Sequence, residues 1–166
     1  SAYENAIPKL IENEIPFTVF IASENTKIPS HLDWKTLKKI AKFEGAEFGI
    51  LPSQYGHITG FSDAQATRLI NKSRITFKKK MKKEVSLFSY PYGEISNNLI
   101  EIAEKQGFTA AFGLHSGPAH SGSNMLALPR FTMTPHYVLS DPFQMITNTL
   151  PLPVDEIEPA DWKRNA

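Results

Sequence analysis

The sequence predicts an α/β protein built around a mainly parallel sheet. Short apolar runs rich in β-branched and aromatic residues alternate with longer segments whose apolar residues recur at helical spacing. A serine or aspartate precedes several of the helical segments, where its side chain can cap the first turn. Strands and helices that alternate in this way form right-handed βαβ units, so the sheet is either open or closed into a barrel.

The first half of the chain contains three helix and strand pairs. Asp33 and Ser62 are the predicted N-caps of the second and third helices, and Gly45 follows the second helix as a stop signal. The third helix ends in the basic run 78–83, which suits the negative end of a helix dipole. In order, the predicted elements are a helix over 2–14, a strand over 16–22, a helix over 34–43, a strand over 47–51, a helix over 63–80 and a strand over 85–89.

The second half contains a further helix and strand and then a less regular end. Ser96 caps the fourth helix, and Gly107 ends it. The remaining predicted elements are a strand over 108–113, a fifth strand over 125–131 and a helix start at 140–142. We expect one domain over residues 1–150 and an extended C-terminal tail over 151–166.

Composition excludes several classes of function. The chain has 18 basic and 17 acidic residues and a net charge of +1, so no overall field attracts nucleic acid or an anionic membrane. It has no cysteine, which excludes disulfides, thiolate metal sites and a cysteine nucleophile. No apolar run approaches the roughly 20 residues that a transmembrane helix needs. The N-terminus lacks the pattern of a signal peptide, so we expect either a cytoplasmic chain or a targeting segment upstream.

The candidate functional loops follow from the fold class. In parallel α/β folds, ligands bind at the carboxyl ends of the strands. The loop after the third strand reads YPYG, in which proline and glycine stop the strand and leave two tyrosines at its end. Three of the five histidines also lie in loops predicted at this edge, namely His57, His115 and His120.

Five segments of the chain form a recognisable set. They are SAYENAIPKLIENEIPFTVFIA, LDWKTLKKIAK, LFSYPYGE, GFTAAFGLHSGPAH and LALPRF. In this order and spacing, the set resembles the polysaccharide deacetylases that carry a NodB homology domain, carbohydrate esterase family 4. The resemblance implies a distorted (β/α) barrel, here incomplete because its first strand is missing.

The resemblance also implies a chemistry. Such enzymes are hydrolases acting on non-peptide C–N bonds, and they remove acetyl groups from N-acetylglucosamine units of a polysaccharide. A divalent metal, commonly zinc, is held by an aspartate and two histidines, a second aspartate is the general base, and a histidine is the acid. Members of the family are commonly secreted, periplasmic or attached to the cell envelope, so the resemblance implies a polysaccharide or oligosaccharide partner there.

Two motifs of the family depart from the expected pattern. The aspartate motif, Thr-Phe-Asp-Asp-Gly or a close variant, would lie before Ser1, so we expect the base and the aspartate ligand to be absent from this chain. The metal motif His-x-x-x-His falls on ILPSQYGHITG, which places Leu51 and Tyr55 at the histidine positions. His57 is the candidate surviving ligand, or else a polar loop residue, and the alternative to a zinc site is a chain that holds no metal.

The remaining motifs match, and the resemblance assigns roles to their residues. Ser89 stands where many relatives have an arginine, and the resemblance implies that Arg130 of the LPR segment then orients the base. His115 is implied as the proton donor or a substrate contact. The implied substrate-binding residues are Tyr90, Pro91, Tyr92 and Gly93.

The sequence leaves two functions open. The first is a metal-dependent carbohydrate deacetylase that lacks part of its catalytic equipment. The second is a non-catalytic relative that keeps the groove and binds a glycan or a protein partner. Since Leu51 and Tyr55 are internal substitutions, we expect impaired or no catalysis. A sheet without its first strand also exposes an edge, which predicts self-association of the chain.

Overall fold

The fold alternates helices with parallel strands. A computed structural model describes residues 2–23, 32–52 and 57–131. These residues form the helices α1 (Ala2–Glu12), α2 (Trp34–Ile40), α3 (Asp63–Met81) and α4 (Asn97–Lys105), and the strands β1 (Phe17–Ile21), β2 (Ala46–Ile50), β3 (Leu87–Ser89) and β4 (Ala110–Phe112). The strands lie in the order β1-β2-β3-β4, and each neighbouring pair is parallel. The predicted α/β class with a parallel sheet is confirmed.

The helix starts follow from the predicted N-caps. The Asp33 side chain accepts a hydrogen bond from the Thr36 amide at 2.6 Å, and this bond lowers the pKa of that carboxyl. Ser62 and Gln65 form a capping box at the start of α3, in which each side chain accepts from the backbone amide of the other. Ser96 accepts from the Leu99 amide at 3.3 Å at the start of α4. All three predicted caps are confirmed.

The core lies where α3 packs against the middle of the sheet. Ile70 and Phe77 on the buried face of α3, Ile50 of β2 and Phe88 of β3 are each no more than 1% exposed. The Phe88 ring also contacts the Tyr90 ring edge-on, with centroids 4.7 Å apart. Burial of these large apolar side chains fixes the strands, and thereby the loops that leave their carboxyl ends.

The predicted fifth strand at 125–131 is wrong in its extent. Within the described residues this segment forms one isolated bridge, between Phe112 and Leu128. A turn closed by the Ala127 amide and the Asn124 carbonyl precedes the bridge, and Pro129 follows it and has no amide to donate. The helix start predicted at 140–142 and the tail at 151–166 lie outside the described residues.

The longest helix among the described residues is α3. No helix in this part of the chain is both long enough and apolar enough to cross a membrane.

Candidate functional site

The carboxyl edge of the sheet carries the YPYG turn directly after β3. Tyr90 begins this turn with its ring in the core, 1% exposed. Its hydroxyl donates to the Leu126 carbonyl at 2.7 Å, and burial raises the pKa of the phenol. Pro91 is buried as well. Tyr92 is 62% exposed, so it is the tyrosine of this turn that a ligand can reach.

The backbone of the turn is left-handed at two successive residues. Tyr92 has φ 54° and Gly93 has φ 72°, and a non-glycine residue in this region is uncommon. A Cβ at Gly93 would lie 2.5 Å from Cβ of Leu114, so only glycine fits there. Strained residues of this kind are held by the surrounding structure and cluster at functional sites.

Arg130 lies at the same edge and crosses the ends of three strands. Its Nε donates to the Gly113 carbonyl at 2.7 Å, and one terminal nitrogen donates to the Ser89 hydroxyl at 2.9 Å. The guanidinium also lies over the rings of Phe20 and Phe112, 5.5 and 5.9 Å from their centroids. Partial burial lowers the pKa of Arg130 from its ordinary value. Ser89, which the resemblance sets at an arginine position of the family, is therefore a direct partner of Arg130.

His115 follows β4, and its backbone is hydrogen-bonded to that of Arg130. The Arg130 amide donates to the His115 carbonyl at 2.9 Å. The imidazole packs over Gly113, where an added Cβ would lie 2.7 Å from Nδ1. Partial burial lowers the pKa of His115 from its ordinary value, so the ring is mainly neutral near pH 7. The structure thus brings together two of the predicted residues, Arg130 and His115.

His57 takes part in a second cluster that the sequence did not indicate. Its Nδ1 pairs with Oε1 of Glu94, whose side chain is 2% exposed. The Thr59 amide and hydroxyl donate to Oε2 of the same carboxylate at 3.3 and 3.0 Å. Glu94 comes directly after YPYG in the sequence, but no local pattern predicts its contact with His57, which lies 37 residues earlier.

The described residues do not fit the zinc site that the resemblance implies. They contain no group of three histidines or acidic residues placed to hold a metal. Leu51 follows β2, where its amide donates to the Ile21 carbonyl at 3.0 Å, and its side chain offers no ligand atom. Nδ1 of His120 accepts a hydrogen bond from the Gly122 amide at 3.2 Å. Tyr55, at the other histidine position, lies outside the described residues.

Comparison with known proteins identifies the class. The family model for polysaccharide deacetylase matches residues 1–111, and the chain belongs to that family. The fold is accordingly the distorted (β/α) barrel predicted from the resemblance, and this chain contains part of it.

Two curated relatives agree with this assignment. A poly-β-1,6-N-acetyl-D-glucosamine N-deacetylase of Staphylococcus aureus (strain MSSA476) is 27% identical over 145 residues, which cover 80% of this chain and 50% of the relative. The putative polysaccharide deacetylase YxkH of Bacillus subtilis (strain 168) is 23% identical over 133 residues, with 80% and 47% covered. The chain therefore spans about half the length of the curated relatives it matches.

Solved structures show the same fold. The Streptococcus pyogenes deacetylase PplD in complex with acetate matches with a TM-score of 0.79 and 19% identity, over 90% of this chain and 66% of that one. IcaB from Ammonifex degensii matches with a TM-score of 0.69 and 23% identity, over 82% and 64%.

Proposed function

We propose that this chain binds a polymer of N-acetylglucosamine in the groove at the carboxyl edge of its sheet and, by itself, does not hydrolyse the acetamide. The observation that carries this proposal is the metal motif: within the described residues it supplies Leu51 and a single imidazole, His57. A catalytic zinc in proteins generally has three protein ligands. The family supports the substrate class, since the S. aureus relative is named for poly-β-1,6-N-acetyl-D-glucosamine.

The carboxyl edge of the sheet carries three residues that suit a sugar ligand, namely Tyr92, Arg130 and His115. Tyr92 presents an exposed ring at the rim, and a pyranose ring has an apolar face that packs on an aromatic side chain. Arg130 uses two of its five donor groups on Ser89 and Gly113, so the guanidinium has donors left for a substrate oxygen. The neutral ring of His115, whose backbone carbonyl accepts from the Arg130 amide, can accept or donate a hydrogen bond.

In this proposal Arg130 and His115 orient the bound acetamide. Without a metal-bound water there is no activated nucleophile for them to assist, so neither moves a proton in a chemical step. Pro91 and Gly93 set the shape of the turn, and Tyr90 anchors it in the core through its bond to Leu126.

Metal content and acetate release test the proposal. The purified chain is dialysed, its metal is measured by elemental analysis, and zinc is then titrated into it in a calorimeter. We expect less than about one tenth of an equivalent of zinc after dialysis and no heat from a tight site, because a lone imidazole binds zinc weakly. An N-acetylglucosamine pentamer should release no acetate above the background of a heat-denatured sample.

The opposite results would favour the enzyme. Near one equivalent of retained metal would contradict the proposal and would mean that the chain forms a metal site, for which His57 is the candidate ligand named from the sequence. Acetate release that disappears with a chelator and returns with zinc would establish this chain as a deacetylase. Binding of the pentamer without acetate release is the result that the proposal requires.

A further inference from the structure

Glu94 is a buried carboxylate that the proposed function does not yet use. It has three donor contacts, to the imidazole of His57 and to the amide and hydroxyl of Thr59. Both carboxylate oxygens are therefore engaged within the fold, although His57 itself is 71% exposed. A buried acidic side chain holding one nitrogen of an exposed imidazole is a common way to fix the orientation of that ring.

We propose that His57 and Tyr92 together form a subsite for one N-acetylglucosamine unit, and that Glu94 is the positioning residue that turns the free nitrogen of His57 toward that sugar. This inference rests on the proposed function, because it names which side chains of the groove hold the polymer. It makes His57 a sugar contact rather than a metal ligand.

The hydrogen-bond pattern sets the tautomer of His57. A carboxylate accepts hydrogen bonds but cannot donate them, so Nδ1 of His57 carries the proton in the bond to Oε1. In the neutral ring, Nε2 then has a lone pair and acts as an acceptor. A hydroxyl or the acetamide N–H of a sugar is the matching donor.

Tyr92 supplies the other half of the subsite. Its ring centroid lies 5.1 Å from that of His57, and the two planes are inclined by 39°. The left-handed backbone of Tyr92 sets the direction of its side chain, and 62% of the residue remains exposed. The tyrosine ring offers an apolar platform, and the adjacent imidazole offers one oriented acceptor. Together they match a pyranose, which has an apolar face and polar groups around its edge.

Glu94→Gln is the sharpest test of the positioning role. Glutamine has nearly the same size, and its amide oxygen can still accept from the two donors of Thr59. Its NH₂ group then faces His57, so Nδ1 must accept and the proton moves to Nε2. The substitution therefore turns the outward nitrogen from an acceptor into a donor without removing the imidazole.

Imidazole ¹⁵N NMR reads this tautomer without any ligand. In a mildly alkaline buffer, we expect the native chain to show an unprotonated Nε2 for His57 and Glu94→Gln to show an unprotonated Nδ1. Glu101→Gln is the matched control, because Glu101 is exposed and pairs only with Lys105 among the described residues. If Glu94→Gln does not fold, Thr59→Val removes one contact of the carboxylate and should weaken the tautomer preference. The same tautomer in the native chain and in a folded Glu94→Gln would overturn the positioning role.

Calorimetry with a β-1,6-linked N-acetylglucosamine pentamer tests the subsite, with a chelator present so that no metal can mediate binding. We expect Tyr92→Ala and His57→Ala each to weaken binding about tenfold, and Glu94→Gln about threefold to tenfold, in keeping with the loss of one stacking or hydrogen-bonding contact. Glu101→Gln should bind like the native chain.

Failure of this inference can be told apart from failure of the proposed function. If the native chain binds the pentamer and all three variants bind it equally well, the subsite is wrong and the groove binds the polymer elsewhere. If the native chain binds no pentamer, the proposed function is wrong and the subsite with it, whereas the NMR measurement still decides whether Glu94 orients His57.

Discussion

At the scale of single residues, Arg130 ties together the ends of β3 and β4 through its bonds to Ser89 and Gly113. The resemblance predicts that Arg130 acts in place of an arginine at position 89, and in the structure the Ser89 hydroxyl accepts from Arg130 at 2.9 Å. The guanidinium is half-buried, lies over the rings of Phe20 and Phe112, which contact each other, and also donates to Gly113. A planar group with several donors can make these contacts together, whereas a lysine cannot.

Arg130→Lys should destabilise the chain by about 1–3 kcal/mol, because it removes the bond to Ser89 and the planar stacking on the rings. Ser89→Ala should cost about 1 kcal/mol. The double variant should cost less than the sum, because the shared hydrogen bond is lost only once. Urea denaturation measures all three. Arg68→Lys is the control, since Arg68 is exposed on α3, and it should change the free energy of unfolding by less than about 0.5 kcal/mol. Full additivity would contradict the coupling.

Three glycines allow backbone strain to be separated from steric clash. At Gly93, φ is 72° and an added Cβ would lie 2.5 Å from Cβ of Leu114. At Gly107, φ is 78° but an added Cβ would meet no atom within 4 Å. At Gly60, φ is not positive and an added Cβ would also meet no atom within 4 Å. Alanine should therefore cost more than about 2 kcal/mol at Gly93, about 1 kcal/mol at Gly107 and little at Gly60. Thermal and urea unfolding would rank the three variants. Equal losses at Gly93 and Gly107 would show that Leu114 moves aside at little cost.

At the scale of elements, the start of α3 depends on its capping box. Ser62→Ala removes the acceptor for the Gln65 amide and should cost about 1 kcal/mol. Ser116→Ala is the control, because Ser116 is an exposed loop residue, and it should be close to neutral. Urea denaturation of both variants gives the difference. Since α3 carries the core residues Ile70 and Phe77, a loss should appear as a shift of the whole unfolding transition rather than as local fraying.

The elements that the sequence predicted are those whose signals are local. Ser62 and Ser96 mark helix starts through contacts three residues away, and the apolar run before Tyr90 marks β3. The segment 125–131 failed because pairing in a sheet depends on a partner strand, and β4 is only three residues long. In the candidate site, the resemblance predicted roles for Arg130 and His115, and the structure joins their backbones by a hydrogen bond. Glu94 was missed, because its contacts with His57 and Thr59 join parts of the chain that only the fold brings together.

At the scale of the whole molecule, the sheet has an open edge at β1. Within the described residues, β1 pairs with β2 on one side and with no strand on the other. The Phe17 amide donates to the Gly45 carbonyl, and the Ile21 carbonyl accepts from the Leu51 amide. The backbone amides and carbonyls of residues 17, 19 and 21 therefore face β2. In a parallel ladder the alternate residues, Thr18 and Phe20, then present their amides to the outer edge. An edge of this kind is a template for another strand.

We predict that the chain self-associates through this edge. Light scattering should show an average mass that rises above 18.6 kDa with concentration. Thr18→Pro removes one outward amide without touching the bonds to β2, and proline is tolerated on an edge strand, so this variant should stay closer to a monomer. Thr18→Val is the control, because it keeps the amide and the branched side chain while losing only the hydroxyl contact to Glu47 at 3.3 Å. Association that persists unchanged in Thr18→Pro would place the interface elsewhere. A native chain that stays monomeric at high concentration would contradict the prediction of self-association.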